Sequence, residues 1–277
     1  MRGFLGFGVA GNFAKHLEQA GEASEFIATG RDSEDGAPKG MFPFYVPNCE
    51  TFLGRYCIDN SKIILPKDTT LRVQAEPEAA FECLVSYEDG KIKSLTPKAF
   101  MAFNDTSVRN DKNAKKLSQK KNFSVASKGH GLKIPIDRFE SGGICDDYSL
   151  TSFLLFDGAA HQYGDNSKLT SYTYFYQKLI DWIVHTLNTQ KDFAILESLD
   201  SFIQKAGYPK DLLVCIGSTS YTPLAEERFL KEGDKVCVAV YNHNLYTNDD
   251  IKELVEKGNF CDMKGVSILY QDVVYEK

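Results

Sequence analysis

The 277-residue sequence has no Cys-x-x-Cys pair, no apolar run long enough to cross a bilayer, no basic excess and no internal repeat or low-complexity segment. Each lack removes a class of function. The seven cysteines (Cys49, Cys57, Cys83, Cys145, Cys215, Cys237 and Cys261) form an odd set without paired spacing, against both a zinc cage and a disulfide framework. Several lie in apolar runs, as Cys215 does in Leu212-Leu213-Val214-Cys215-Ile216, where a reduced thiol acts as a small hydrophobe. A reducing cytoplasm is the expected compartment. A net charge of −6 invites neither nucleic acid nor an anionic surface. The five lysines between Lys112 and Lys121 carry no aromatic ladder and read as a solvated loop or helix. The apolar start, Met1 to Ala10, is broken by Gly3, Gly6 and Gly8 and followed by Asn12 and Lys15, so it is not read as a signal peptide.

What is present suits a globular fold. Residues 3–10 read as a buried strand, a helical pattern runs from Phe13 to Ala23, and residues 29–40 form a polar loop rich in glycine. Strands are expected at Phe42–Val46, Lys62–Leu65 and Leu71–Tyr87, the last turning at Asp89-Gly90. Leu95–Asp105 is apolar enough to be core, and residues 109–130 read as polar loop with at most a short helix. Further strands are expected at Leu150–Phe156, 211–217, 235–241 and Val266–Tyr270. Helical spacing predicts helices over Tyr172–Leu187, capped by Thr170 or Ser171, over Ala194–Ala206, stopped by Gly207, and over Asp249–Lys257, ended by Gly258. Short strands outnumber scattered helices, which is an α+β pattern with a largely antiparallel or mixed β core. Gly6-Phe7-Gly8-Val9-Ala10-Gly11 matches the string of a dinucleotide-binding turn. Its glycines begin inside the apolar run, and no acidic residue ends a second strand at the required distance, so a nucleotide-dependent oxidoreductase is kept only as an alternative.

Three carboxylates stand out. Glu76 and Glu78 flank Pro77 at the head of an apolar run, and alternate strand residues share a face, so the two would stand side by side. Carboxylates that close repel unless a proton or cation lies between them. Pro77 needs a strand start or an edge. Asp105 ends the apolar run Phe100-Met101-Ala102-Phe103-Asn104 and is the third candidate for a hard divalent cation. Solvated glutamates on a strand edge and an Asn-Asp turn are the plainer readings of the same residues.

In order and spacing these pieces resemble the fumarylacetoacetate hydrolase family. The family's Asn-Tyr-x-x-His helix start is similar to Asn12-Phe13-Ala14-Lys15-His16, and its Ile-x-x-Pro strand to Ile63-Ile64-Leu65-Pro66. Its glutamate pair matches Glu76 and Glu78, and its Asn-Asp-x-Ser-x-Arg segment matches Asn104-Asp105-Thr106-Ser107-Val108-Arg109. Lys121-Asn122-Phe123, Asp157-Gly158-Ala159-Ala160-His161-Gln162, Gly217-Ser218-Thr219 and Leu230-Lys231-Glu232-Gly233-Asp234 resemble later family motifs. The resemblance spans about residues 3–242 of a single domain covering 1–277, with a helix and strand over 243–277 outside it.

The resemblance implies a mixed β-sheet roll or barrel with flanking helices, usually a homodimer. It implies a Mg²⁺ or Mn²⁺ ion on Glu76, Glu78 and Asp105 that chelates a small keto acid or β-diketone and stabilises the developing enolate. Lys121 would bind an anionic oxygen of the substrate, and His16 would activate water or move a proton. Arg109, Gln162, Ser218 and Thr219 would line the substrate. The implied reaction is hydrolysis or decarboxylation; a catalytically silent relative that binds a metabolite or a partner is the alternative. Four departures bear on this. Hydrolytic members carry a glutamate three residues after the histidine, where Gln19 stands here; the lysine of Phe-x-Lys-Pro has become Val46; Gly-Thr-Pro has become Gly217-Ser218-Thr219; and Ser127-Lys128-Gly129-His130-Gly131 replaces Pro-x-Gly-Pro, making His130 another candidate acid or base.

Overall fold

Most strands are apolar on both faces, so sheets must cover one another, and in the computed structural model they do. The structure describes residues 3–13, 19, 21, 37–260 and 263–276. The chain first forms β1 (Leu5–Ala10), β2 (Gly40–Tyr45), β3 (Lys62–Leu65) and β4 (Val73–Gln74). A long hairpin follows, β5 (Pro77–Glu88) and β6 (Lys91–Asp105), and then β7 (Ser107–Val108), β8 (Lys128–His130) and β9 (Ile134–Pro135). A second hairpin pairs β10 (Tyr148–Phe156) with β11 (Ala159–Lys168). The last strands are β12 (Asp211–Ser218), β13 (Lys235–Asn242) and β14 (Val266–Tyr275). One sheet runs β2-β1-β12-β5-β6-β8, with β9 also on β6; the other runs β11-β10-β13-β14-β3; β4 and β7 pair separately. Pairing is antiparallel except β1 with β12 and β14 with β3. The result is a curled, mixed half-barrel with few helices, the expected fold class.

Local sequence explains the hairpins. Asp89 and Gly90 have φ of 50° and 74°, and Asp157 and Gly158 have 51° and 78°. Positive φ at both central residues gives a turn whose twist matches that of the strands it joins.

Among the described residues five short helices decorate the sheets: α1 (Leu117–Lys121), α2 (Tyr176–Thr189), α3 (Asp200–Lys205), α4 (Pro223–Glu227) and α5 (Asn248–Lys257). Two start later than their periodicity predicts. Neither Thr170 nor Ser171 caps α2; the helix begins at Tyr176 after an extended Phe175. The wholly buried Asn12 is the reason. Its carbonyl takes the Thr173 N–H at 3.2 Å, and its side chain takes the Tyr174 N–H at 2.8 Å and donates to the Ile216 carbonyl at 3.1 Å. Residues that a helical pattern would recruit are therefore tied to the ends of β1 and β12. α3 also starts at Asp200 rather than Ala194, because Phe193 and Leu196 bridge to each other and Ala194 has a positive φ of 51°. The strand expected at Leu71–Tyr87 is broken before Pro77, and the one expected at Val266–Tyr270 runs on to Tyr275, between β13 and β3. The helix expected over Phe13–Ala23 lies almost wholly outside the described residues.

The glycines of the GxGxxG string have a different use. Gly6 and Gly8 sit within β1, paired with Tyr45 and Phe42 of β2, so no strand-to-helix turn begins there. A Cβ on Gly6 would fall 2.3 Å from the Phe44 ring, and one on Gly8 would fall 2.2 Å from the Phe42 ring. The two rings occupy the space a side chain would need and are fully buried. Overpacking a well-filled core costs about 1–3 kcal/mol or more. Gly8→Ala is therefore expected to lower the urea midpoint of unfolding by that equivalent. An unchanged midpoint would show that the ring can move aside.

Candidate metal and active site

Pro77 opens β5, the strand-start position its missing N–H demands. Register then sets Glu78 against Phe103 of β6 and Ser218 of β12, and Asp105 is the last residue of β6. Asn104 is no turn former. Its side chain accepts the Glu76 N–H at 3.1 Å and donates to Gln271 of β14 at 2.9 Å, while the Asp105 N–H goes to the Glu76 carbonyl at 3.0 Å. A register shift between Cys215 and Ser218 bulges β12 and turns the Gly217 N–H onto Glu78 Oε2 at 2.7 Å. All three carboxylates are buried, and a backbone N–H fixes that of Glu78.

Cations meet them. Lys121, in the last turn of α1, contacts Glu76 Oε2 and reaches Asp105 Oδ2 at 3.0 Å. Lys128 of β8 reaches Asp105 Oδ1 at 2.7 Å and donates to the Lys121 carbonyl at 2.6 Å, satisfying the end of the helix. Their ammonium groups lie 5.3 Å from the Phe42 ring centre and 5.7 Å from that of Phe44, so the rings that Gly6 and Gly8 admit also wall the cations. The lysine run is therefore not wholly solvated: Lys120 and Lys121 are buried, and so is Lys128 beyond the run.

Burial pushes the Glu78 carboxyl well above the usual carboxylate range, and Asp105 and Glu76 push the same way against Lys121 and the Gly217 N–H. Burial also raises the Cys215 thiol, with the charges of Glu78 and Asp105 adding to it. These three residues form one cluster: among the described residues, Glu78, Asp105 and Cys215 each offer a donor atom within 4.8 Å of the others. Both Asp105 oxygens touch ammonium groups yet take no hydrogen bond of good geometry. Wholly buried carboxylate lone pairs left in that state suit a divalent cation, so the residues present fit a metal.

The remaining expected site residues divide. Arg109 is held inside the protein, by Glu76 Oε1 at 2.8 Å, Gln74 at 2.7 Å and the Tyr221 hydroxyl at 2.9 Å. Gln162 lies in the other sheet and knits β10 to α5, donating to Thr151 and Gly164 and accepting from Asn248. Ser218 stands beside Glu78 in register, and Thr219 donates its N–H to the Pro77 carbonyl while its buried hydroxyl has no hydrogen-bond partner. His130 is half-buried in β8, its Nδ1 2.9 Å from the Gly131 carbonyl. His16 lies outside the described residues. Sequence reasoning misses Lys128 and Cys215 as site residues; the unusual Ser127-Lys128-Gly129-His130-Gly131 segment is the one signal for the first, and the second has none. Two cavities, of about 640 Å³ beside Arg72 and Phe229 and about 310 Å³ beside Asn188 and Tyr208, lie away from the carboxylates. Among the described residues no helix is long and apolar enough to cross a membrane.

Comparison with solved structures places the fold. Cg1458, solved with an inhibitor, is similar over 100% of this chain and 78% of its own, at 15% identity and a TM-score of 0.58. A 2-keto-3-deoxy-D-arabinonate dehydratase complexed with magnesium and 2,5-dioxopentanoate is similar over 100% of this chain and 75% of its own, at 15% identity and a TM-score of 0.54. A 5-carboxymethyl-2-hydroxymuconate delta-isomerase from Mycobacterium smegmatis is similar over 99% and 79%, at 16% identity and a TM-score of 0.52. At identities this low the likeness is one of fold: the three share this chain's curled, mixed sheets. No curated protein matches the sequence. Residues 22–273 do match the sequence profile of a family of unknown function, DUF5718, and the chain belongs to that family.

Proposed function

We propose that this protein is a divalent-metal-dependent enzyme acting on a small keto acid or β-diketone. The observation that carries the reading is the convergence of buried Glu78 and Asp105 on a face that Lys121 also reaches. Glu78 and Asp105 would hold the ion, joined by Glu76 once the Lys121 ammonium leaves its Oε2. A divalent ion there supplies a Lewis acid that polarises a carbonyl oxygen. The chain's own groups do the rest. Arg109 anchors Glu76, the Gly217 N–H orients Glu78, and Lys121, released from the carboxylates, meets an anionic oxygen of the substrate. Proton transfer is assigned to His16 on the family resemblance alone.

Between hydrolysis and decarboxylation, Gln19 supports the second. Its side chain accepts the Tyr221 N–H at 2.8 Å and donates to the Tyr221 carbonyl at 3.1 Å and to Glu226 at 2.6 Å. A neutral amide tied down in this way supplies no base to a histidine that must activate water. The cavity beside Arg72 and Phe229, which the carboxylates do not line, supports an alternative reading, a catalytically silent relative that binds a metabolite.

Titrating Mn²⁺ into chelator-stripped protein, followed by electron paramagnetic resonance with and without oxalate, tests the proposal. One ion per chain is expected, with a spectrum that changes when oxalate chelates it, and Glu78→Gln is expected to weaken binding by roughly tenfold or more. A bound ion indifferent to oxalate would favour the silent relative. Absence of a bound ion would overturn the metal reading.

A further inference from the structure

We propose that Cys215 supplies a sulfur donor to the metal site, so that the site prefers borderline ions such as Zn²⁺, Co²⁺ or Fe²⁺ to Mg²⁺. The inference rests on the metal reading above and changes its expected ligand set. Three observations carry it.

Register comes first. Cys215 of β12 pairs with Ala80 of β5, and Ala80 with Met101 of β6. Cross-strand partners share a face, and so do alternate residues along a strand, so Cys215, Glu78 and Asp105 all project from one side of the sheet. Second, Cys215 Sγ, and not Glu76, completes the group of donors within 4.8 Å of one another. A tetrahedral ion with bonds of about 2.0–2.3 Å brings its donors to roughly 3.6 Å apart, so small side-chain rotations close the group. Third, Glu76 is held at both oxygens, by the Arg109 guanidinium at Oε1 and by Lys121 at Oε2; Asp105 is paired too, with Lys121 and Lys128, but neither of its oxygens takes an aligned hydrogen bond.

The chemistry balances simply. On coordination the Cys215 thiol gives up its proton to solvent and the thiolate lone pair forms the bond to the ion; no electron is transferred. Sulfur raises affinity for borderline ions far more than for Mg²⁺ or Mn²⁺, which favour oxygen. A thiol read from sequence as a small hydrophobe would then decide which metal the protein holds.

The test uses the full chain, stripped with chelator and titrated with Co²⁺ alone. A sulfur-to-cobalt charge-transfer band in the near ultraviolet is expected in the wild type. It is expected to persist in Cys57→Ser, which removes the other buried thiol that feels the Asp105 charge, and to vanish in Cys215→Ser. Cys215→Ser is also expected to weaken Co²⁺ and Zn²⁺ by roughly tenfold or more, a ligand's share, while Mn²⁺ affinity stays within about threefold. Cys215→Ala serves as the second variant should serine not fold, and the wild-type spectrum needs no variant at all. Bound Co²⁺ without the band, or a band that survives loss of Cys215, overturns the sulfur donor and leaves the metal reading standing. Failure of the wild type to bind Co²⁺ and Mn²⁺ alike overturns both.

Discussion

Asp105→Asn is expected to destabilise the fold by about 3–5 kcal/mol, the cost of leaving a buried charge without its partner. Asp105 is fully buried and lies between two ammonium groups, Lys121 at 3.0 Å and Lys128 at 2.7 Å. Asparagine keeps the shape and removes the charge, so both lysines lose a counter-ion; Lys121 retains Glu76, but Lys128 is left with the neutral Lys121 carbonyl and the Phe44 ring. The double variant Asp105→Asn/Lys128→Met removes the charge stranded most severely and is expected to recover part of the loss. Urea unfolding of the four proteins closes a double-mutant cycle, which isolates the coupling between the two residues. Strictly additive losses would mean that Lys128 and Asp105 do not act as an ion pair. The same cycle is independent of any metal, because chelator-stripped protein is used throughout.

The sequence announces some of this and conceals the rest, for physical reasons. Strand hairpins are legible because their signals are local: Asp89-Gly90 and Asp157-Gly158 carry the turn geometry in two residues. Pro77 at a strand start and Asp105 at a strand end follow from rules that need only neighbours. The start of α2 is not legible, since the bonds that forestall it come from Asn12, some 162 residues away. The site shows the same division. Residue type and spacing draw attention to the carboxylates, but the company they keep is long-range. Lys121 belongs by sequence to a run of surface lysines, and Glu76, 45 positions earlier, together with Asp105 takes it inside. Cys215 reads as apolar because Leu212, Leu213, Val214 and Ile216 surround it in the chain. Only the pairing of β12 with β5 sets it beside Glu78. Arg109, expected at a substrate, is bound to Glu76 and Gln74, and Gln162, expected there too, to Gly164.

Glu197 gives the fold a pH dependence of unusual sign. Its carboxyl is buried against α1, where Oε1 accepts the Ser118 hydroxyl and Oε2 has no hydrogen-bond partner. Burial raises its pKa from an ordinary 4.5 to about 7, with the Ser118 hydrogen bond and Lys116 opposing the rise. The folded protein therefore holds a proton that the unfolded chain has released. That contribution to stability is fully present below the unfolded value near 4.5 and is lost as pH climbs through about 7. Its size is on the order of 3 kcal/mol, because each tenfold gain in proton affinity on folding is worth about 1.4 kcal/mol. Glu197→Gln keeps the side chain's shape and never ionises, so its stability relative to wild type is expected to grow by about 1–3 kcal/mol between pH 5 and pH 9. Urea midpoints across that range measure the difference and cancel every titration the two proteins share. Curves that stay parallel would show Glu197 to be ordinary. A divergence would also concern the site, because α1 is the helix that ends in Lys121. Ionising the carboxyl that accepts the Ser118 hydroxyl is then expected to weaken the hold on that helix as pH rises through about 7.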